Sequence, residues 1–271
     1  MDIQLTLRSK LKKHDDGLTF TATYDQLQQT PAIDGLTLVG GVDISFFIGE
    51  SDNRAVATLV VLSYPDLEVV YEDLSGDDAA DNGSGVVHLE LPYIPSFLAF
   101  REVPHLIKLV DRLRQKRPDL MPQVILVDGN GILHPRQFGL ASHLGVVANV
   151  PTIGVSKNFF QMEDIEPGMT IASTKSTFRE AVAAKRAISK NADTEVRTYG
   201  AAVAFGKAVS NPTFVTIGHR VSLETAIAVV KAMSLHRVPE PIRQADLRSR
   251  RRVAEIESKE APSVTTSSDQ I

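Results

Sequence analysis

The chain reads as an α/β protein built on a mixed central sheet flanked by helices, and three observations predict this. Three strand-like runs follow one another between residues 35 and 74. Helix-like and strand-like segments then alternate from residue 104 onward, and "QVILVDGNG" (123–131) is a short unbroken apolar run ending in a turn. Consecutive strands joined by tight turns pair antiparallel, whereas an unbroken apolar strand between helices is the pattern of a buried parallel strand. No linker divides the sequence, so residues 1–258 are expected to form one domain, with a flexible acidic loop at about 74–85 and a disordered tail over 259–271.

Each element has its own signal. Residues 1–30 are expected to form an amphipathic, charged helix or arm. "GLTLVGGVDISFFIG" (35–49) alternates as a strand does, with Leu36, Leu38, Val42, Ile44 and Phe46 on a face that must be buried and Gly41, Asp43 and Ser45 on the other, where the two small neighbours are expected to leave open space above the carboxylate for an ion and its water. "AVATLVVLSYPDLEVVYED" (55–73) supplies two more strands joined at Ser-Tyr-Pro-Asp. A helix is expected over 104–117, where Leu106, Leu109, Val110 and Leu113 share a side and Pro104 kinks or restarts the chain. "PRQFGLASHLGVVAN" (135–149) predicts a helix, "VPTIGVSK" (150–157) a strand and "TFREAVAAKRAISK" (177–190) a charged helix. "PTFVTIGHRVSLETAIAVVKAMS" (212–234) predicts a strand, a turn and a helix capped by Ser222. A last helix opens at Pro241, a residue suited to a first turn because its missing N–H would have no partner there.

Composition narrows the class. Hydrophobic residues at 43% and charged ones at 23% suit a folded globular chain rather than a disordered one. The chain has no cysteine, which excludes disulfides, zinc–thiolate sites and thiol catalysis. No apolar run is long enough to cross a bilayer and the N-terminus lacks a signal-peptide core, so the expectation is an intracellular protein with no membrane partner. The net charge of −4 argues against a polyanion partner, but eight acids and no Lys or Arg lie between Arg54 and Arg101; without that block the remainder carries +4. "RSRRRV" (248–253) adds a basic cluster.

Four acids carry the chemistry. Alone, Asp43 reads as an exposed acid on the solvent side of an edge strand, and Asp128 reads as readily as a turn cap as a ligand. Glu102 is more telling, because at helical spacing it shares a stripe with Leu98, Leu106, Leu109 and Leu113. Asp246 likewise shares an inner stripe with Ile242, Ser249, Val253 and Ile256. A buried carboxylate needs a cation or several donors. One pair of bound divalent ions would explain all four; hard oxygen ligands suit magnesium or manganese, and such clusters serve in-line attack of water on phosphodiesters.

The motifs "GGVDISF", "PYIPSFLAFRE", "VDGNGILHPRQFGLASHLGV", "PTIGVSK", "GHRVSLETA" and "PEPIRQAD" resemble those of the endonuclease V family, in order, over most of residues 35–250, with wording closer to the eukaryotic branch. The resemblance implies a ribonuclease H-like fold and magnesium-dependent (or manganese-dependent) cleavage of inosine-containing single-stranded RNA. Deaminated DNA is the further candidate substrate. The cut would fall at the second phosphodiester 3′ to inosine, leaving 3′-hydroxyl and 5′-phosphate ends. It implies metal-binding roles for Asp43, Glu102 and Asp128, a further site position at Asp246, a lysine near the scissile phosphate at Lys157 and a histidine beside the site at His134. It also makes Tyr93, Ile94, Pro95 and Ser96 a wedge inserted beside the flipped base. Gly129, Gly131 and Gly139 become candidates for reading hypoxanthine through backbone N–H groups, and Arg136 and Arg248 for phosphate contacts, while His143 and His219 read as structural. Ser96 stands where many members carry glycine, so a left-handed backbone there would be strained. No obligate protein partner is expected, and the resemblance places the protein in the cytoplasm, with the nucleus or nucleolus as a further compartment. A structure-selective nuclease of the same fold and a non-catalytic inosine-RNA binder are the competing readings; all four acids being present weighs against the second.

Overall fold

The structure, a computed structural model, describes residues 2–25, 30–49, 53–75, 85–94, 96–157, 199–203 and 212–260. The acidic stretch 76–84, Pro95, the predicted helix 177–190 and the tail 261–271 lie outside the described residues. In chain order the described elements are α1 (Asp2–Arg8), β1 (Thr21–Asp25), β2 (Thr30–Asp34), β3 (Leu38–Phe46), β4 (Arg54–Ser63), β5 (Val69–Leu74), β6 (Val87–His88) and α2 (Leu98–Lys116). Then come β7 (Val124–Asp128), α3 (Leu140–Ala148), β8 (Thr152–Ser156), β9 (Ala201–Val203), β10 (Thr213–His219), α4 (Leu223–Ala232) and α5 (Glu240–Glu260).

The main sheet runs β5-β4-β3-β7-β8-β10-β9, with β6 paired to β4. β3, β4 and β5 pair antiparallel, β3–β7 and β7–β8 pair parallel, and β10 pairs antiparallel with β8 and β9. This is the mixed sheet the sequence predicts. Helices cover both faces. Val42, Leu59, Val61, Ile125 and Val127 pack under α2 and α3, and Val39, Val124, Leu126 and Ile153 pack with α4 and with Ile242 of α5.

Three expectations are corrected by this packing. β3 is not one-sided, because Val39 on its odd face and Val42 on its even face are both fully buried at the sheet centre, while Phe46 at its end is 43% exposed. The space above Gly41 is not open for an ion: a methyl group there would lie 2.1 Å from the carbonyl oxygen of Pro241, so the glycine lets α5 rest directly on β3. And α2 begins at Leu98 and continues through Pro104 without restarting there. The proline lies on the exposed side of the helix, and burial of Ala99, Val103, Leu106, Leu109, Val110 and Leu113 outweighs the roughly 3 kcal/mol that an interior proline costs.

The N-terminal arm also differs from expectation. After the single short helix α1, Asp15 accepts hydrogen bonds from the Ser222 N–H (2.6 Å) and the Thr225 hydroxyl (2.7 Å), and the chain then forms the two-stranded β1–β2 sheet. The Ser222 cap is as predicted, its Oγ accepting from Thr225 N at 3.1 Å.

Candidate active site

The parallel strands β3 and β7 carry the first two acids to the same edge of the sheet. Their pairing ends at Val42 opposite Val127, so Asp43 and Asp128 follow side by side at the carboxyl ends of adjacent strands, the place where open α/β sheets gather ligands. Glu102 approaches from α2, on the same stripe as the buried Leu106, Leu109 and Leu113. These three carboxylates line one cleft of about 280 Å³, together with Phe46, Ser96 and His134.

The carboxylates disturb one another. Burial, then the charge of Asp128, pushes Asp43 up to about 6 against the pull of the Ser249 hydroxyl. Burial, then the charge of Asp43, pushes Glu102 up to about 7 although Arg101 opposes the rise. Two acids held above their ordinary range by burial first and by neighbouring carboxylates second are short of positive charge. Besides Arg101, Lys157 brings positive charge to the cluster, its Nζ 3.1 Å from Asp128 Oδ2 just past the end of β8. Hard oxygens facing one cleft suit a divalent ion in donor chemistry. Among the described residues, however, no three carboxylate or imidazole side chains stand close enough to form a ready-made cage.

Asp246 is placed differently from the other three. It does not line the cleft; its Oδ1 accepts from Arg250 Nε at 2.7 Å, and Asp43 feels its charge from behind. Ser249, one turn further along α5, makes the direct contact: its Oγ lies 2.9 Å from Asp43 Oδ2, 3.0 Å from the Asp246 carbonyl and 2.7 Å from Ser45 Oγ. Having one proton, it donates to one of the first two while Ser45 can donate to it. The sequence reading put Ser249 on the inner stripe without a role; a lone hydroxyl among Ile242, Val253 and Ile256 is the signal that could have found it.

The remaining candidates divide. Tyr93 and Ile94, shortly before the cleft-lining Ser96, are 66% and 48% exposed. Gly129 and Gly139 line the cleft, but their N–H groups already donate to the carbonyls of Val155 and Gly131, each at 2.9 Å. Gly131 does not line it; its missing side chain makes room for the Ile217 carbonyl, 1.8 Å from where a methyl group would sit. Backbone reading of a base through Gly129 and Gly139 therefore lacks its donors. The basic cluster on α5 is spent in pairs: Arg248 meets Glu72 at 2.6 Å and Arg251 meets Glu255 at 3.0 Å.

Ser96 adopts φ +65°, the left-handed backbone anticipated for a glycine position. His134 is buried and its imidazole is pushed down to about 4, first by burial and then by Arg136. His143 and His219 are likewise buried and pushed down to about 4 by desolvation. His143 packs against the rings of Phe100 and Phe138, and His219 Nδ1 accepts from the Lys12 N–H at 3.3 Å, which fits structural roles. Phe46, predicted to be buried, stands at the cleft with the Arg101 guanidinium 5.3 Å from its ring centre, because β3 outruns β7 there.

Comparison with known proteins shows what the chain as a whole is similar to. The profile of the Endonuclease V family matches residues 21–247. Mouse endonuclease V is 46% identical over 229 residues, 82% of this chain and 62% of the mouse protein, so the chain spans less than two thirds of that relative. The crystal structure of human ENDOV superposes with a TM-score of 0.73 at 38% identity, covering 94% of this chain and 96% of the human one. Endonuclease V of Ciona intestinalis, solved in complex with a 24mer DNA containing an inosine followed by a ribo-adenosine, gives a TM-score of 0.69 at 32% identity, covering 94% of this chain and 96% of that one.

Proposed function

Since the chain belongs to the endonuclease V family, we propose that it is a metal-dependent nuclease that cuts inosine-containing nucleic acid. Single-stranded RNA is the preferred substrate, and the cut falls at the second phosphodiester 3′ to the inosine. The observation that carries this reading is the meeting of Asp43, Glu102 and Asp128 at one cleft, in a chain similar to a protein solved with inosine-containing DNA. Asp43, Glu102 and Asp128 would hold magnesium or manganese, which when bound supplies the positive charge that activates water and stabilises the leaving oxygen.

The chain's own residues do the rest. Asp43 and Glu102 reach the cleft from a rigid strand and a rigid helix, so the oxygens are held in place before substrate arrives. The Ser249 hydroxyl fixes which way the Asp43 carboxylate faces. Lys157, tethered to Asp128, would supply a point charge for the scissile phosphate. Tyr93 offers an exposed ring on which a base can stack.

The test is a cleavage assay on single-stranded RNA and DNA oligomers of one sequence, each carrying inosine or adenosine at one position, with magnesium or with chelator. Cutting of the inosine oligomers only, the RNA faster than the DNA, displaced by one nucleotide from the lesion and abolished by chelator, is expected. Equal cutting of the adenosine oligomers would replace this reading with a structure-selective nuclease, and cutting in chelator would remove the metal from it.

A further inference from the structure

We propose that Arg136 is a positioning residue rather than a phosphate contact: with His134 and the Ser96 hydroxyl it latches the turn carrying Tyr93 and Ile94 to the loop that follows β7. The inference rests on the proposed reading of that turn as the element that meets the base beside the inosine.

Ser96 is where three donor contacts converge. Its carbonyl oxygen lies 2.7 Å from Arg136 Nη2 and 3.0 Å from His134 Nε2, and its hydroxyl lies 2.9 Å from the same Arg136 nitrogen. Both hydrogens on that nitrogen therefore have acceptors. The guanidinium carbon sits 3.7 Å from the centre of the Phe97 ring, so one face of the group is covered, and Nε is buried. To turn Nη2 or its covered face to a phosphate, Arg136 would have to abandon two hydrogen bonds or a stack.

The histidine takes part in the same latch. Because Nε2 faces a carbonyl it carries the proton, and Nδ1 accepts from the Arg136 backbone N–H at 3.2 Å. His134 is thus a spacer with a fixed tautomer between Ser96 and Arg136. It belongs to the loop that leaves Asp128, while Ser96 leads into the helix that carries Glu102. The latch therefore sets the wedge against two of the three acids at once.

Ser96 itself supplies the last argument. A left-handed backbone at φ +65° suits glycine and strains serine. The hydroxyl is what serine gains over glycine there, and that hydroxyl is bonded to Arg136.

A salt titration separates a latch from a phosphate contact. Dissociation constants for single-stranded RNA with inosine or adenosine would be measured in chelator across a range of salt, for the full chain and for Arg136→Gln. A contact to one phosphate contributes about 0.7 to the slope of log affinity on log salt for a single strand. The latch predicts an unchanged slope and a loss of inosine-over-adenosine preference of about tenfold, the scale of a lost charged hydrogen bond. A slope reduced by about 0.7 with the preference intact would overturn it. Ser96→Gly, which suits the backbone, guards against a variant that merely misfolds. It should weaken the preference in the native background and have no further effect beside Arg136→Gln, whereas additive losses would overturn the coupling. If the unsubstituted protein shows no inosine preference, the functional reading fails before the variants are compared.

Discussion

Glu102 is the residue at which stability and function pull hardest against each other. It is buried, and above pH 7 the metal-free protein must carry its charge beside that of Asp43. Glu102→Gln removes that charge while keeping the shape of the side chain. In chelator at pH 8 the variant should unfold at a higher temperature than the native protein, by a stabilisation on the order of 2 kcal/mol, and it should cleave nothing. Asp43→Asn should also abolish cleavage and still bind the inosine oligomer. An Asp43→Asn protein with full activity, or a Glu102→Gln protein less stable in chelator, would show that these acids do not form the strained cluster described. The sequence revealed Glu102 through one physical rule, that an acid on an apolar stripe is costly without compensation; Asp43, which alone reads as an exposed acid on a strand, was drawn in only by the company of the other acids and by the family motifs. It could not reveal the Ser249 contact to Asp43, which joins residues 206 apart in the chain, nor the pairing that turns Asp246 toward Arg250.

Between elements, the decisive contact is the seat of α5 on β3. Gly41 has no side chain, and the Pro241 carbonyl fills the position a methyl group would take. Gly41→Ala should push the helix away and carry Ser249 from Asp43, costing about 1–3 kcal/mol by overpacking and reducing kcat more than KM. Thermal melts and steady-state kinetics check both; an alanine variant with native melting and native kcat would mean that the helix seat does not govern the site. Strands and helices with a strong apolar period were legible at this scale, including β7 and the inner stripe of α5. The β1–β2 pair was not, since Ala22 is the one fully buried side chain in Thr21–Asp25 and Thr30–Asp34 has none. The start of α2 was missed for the opposite reason: Pro104 is a strong local breaker, overruled by a long buried face whose worth only the packed sheet reveals.

Across the whole molecule the buried ionisable groups compete, and their balance fixes the pH dependence of stability. His134, His143 and His219 are each pushed down to about 4 from an ordinary value of 6.5. Between those values the unfolded chain binds protons that the folded chain refuses, so stability rises with pH. Asp43 and Glu102 act with the opposite sign. Raised from 3.8 and 4.5 to about 6 and about 7, they bind protons more tightly when folded, so each loses stability as pH climbs through that window. Three groups against two, and three against Glu102 alone once Asp43 has titrated at about 6, leave a net rise up to about pH 6.5. Above 6.5 the histidines are neutral in both states, and Glu102 alone still titrates between them, so a shallow decline follows to a plateau beyond about pH 7. Asp16, Asp119 and Glu240, whose carboxyls are lowered by their paired cations, contribute stability that is lost as pH falls below the ordinary carboxylate range, steepening the acid limb. Melting temperatures taken in chelator should therefore peak between about pH 6 and 7. Glu102→Gln should erase the decline on the alkaline side and leave the acid limb in place. Magnesium should raise the melting temperature more at pH 8 than at pH 5.5, because an ion bound by carboxylates competes with their protons. A magnesium shift that is the same at both pH values would mean that Asp43 and Glu102 are not among its ligands.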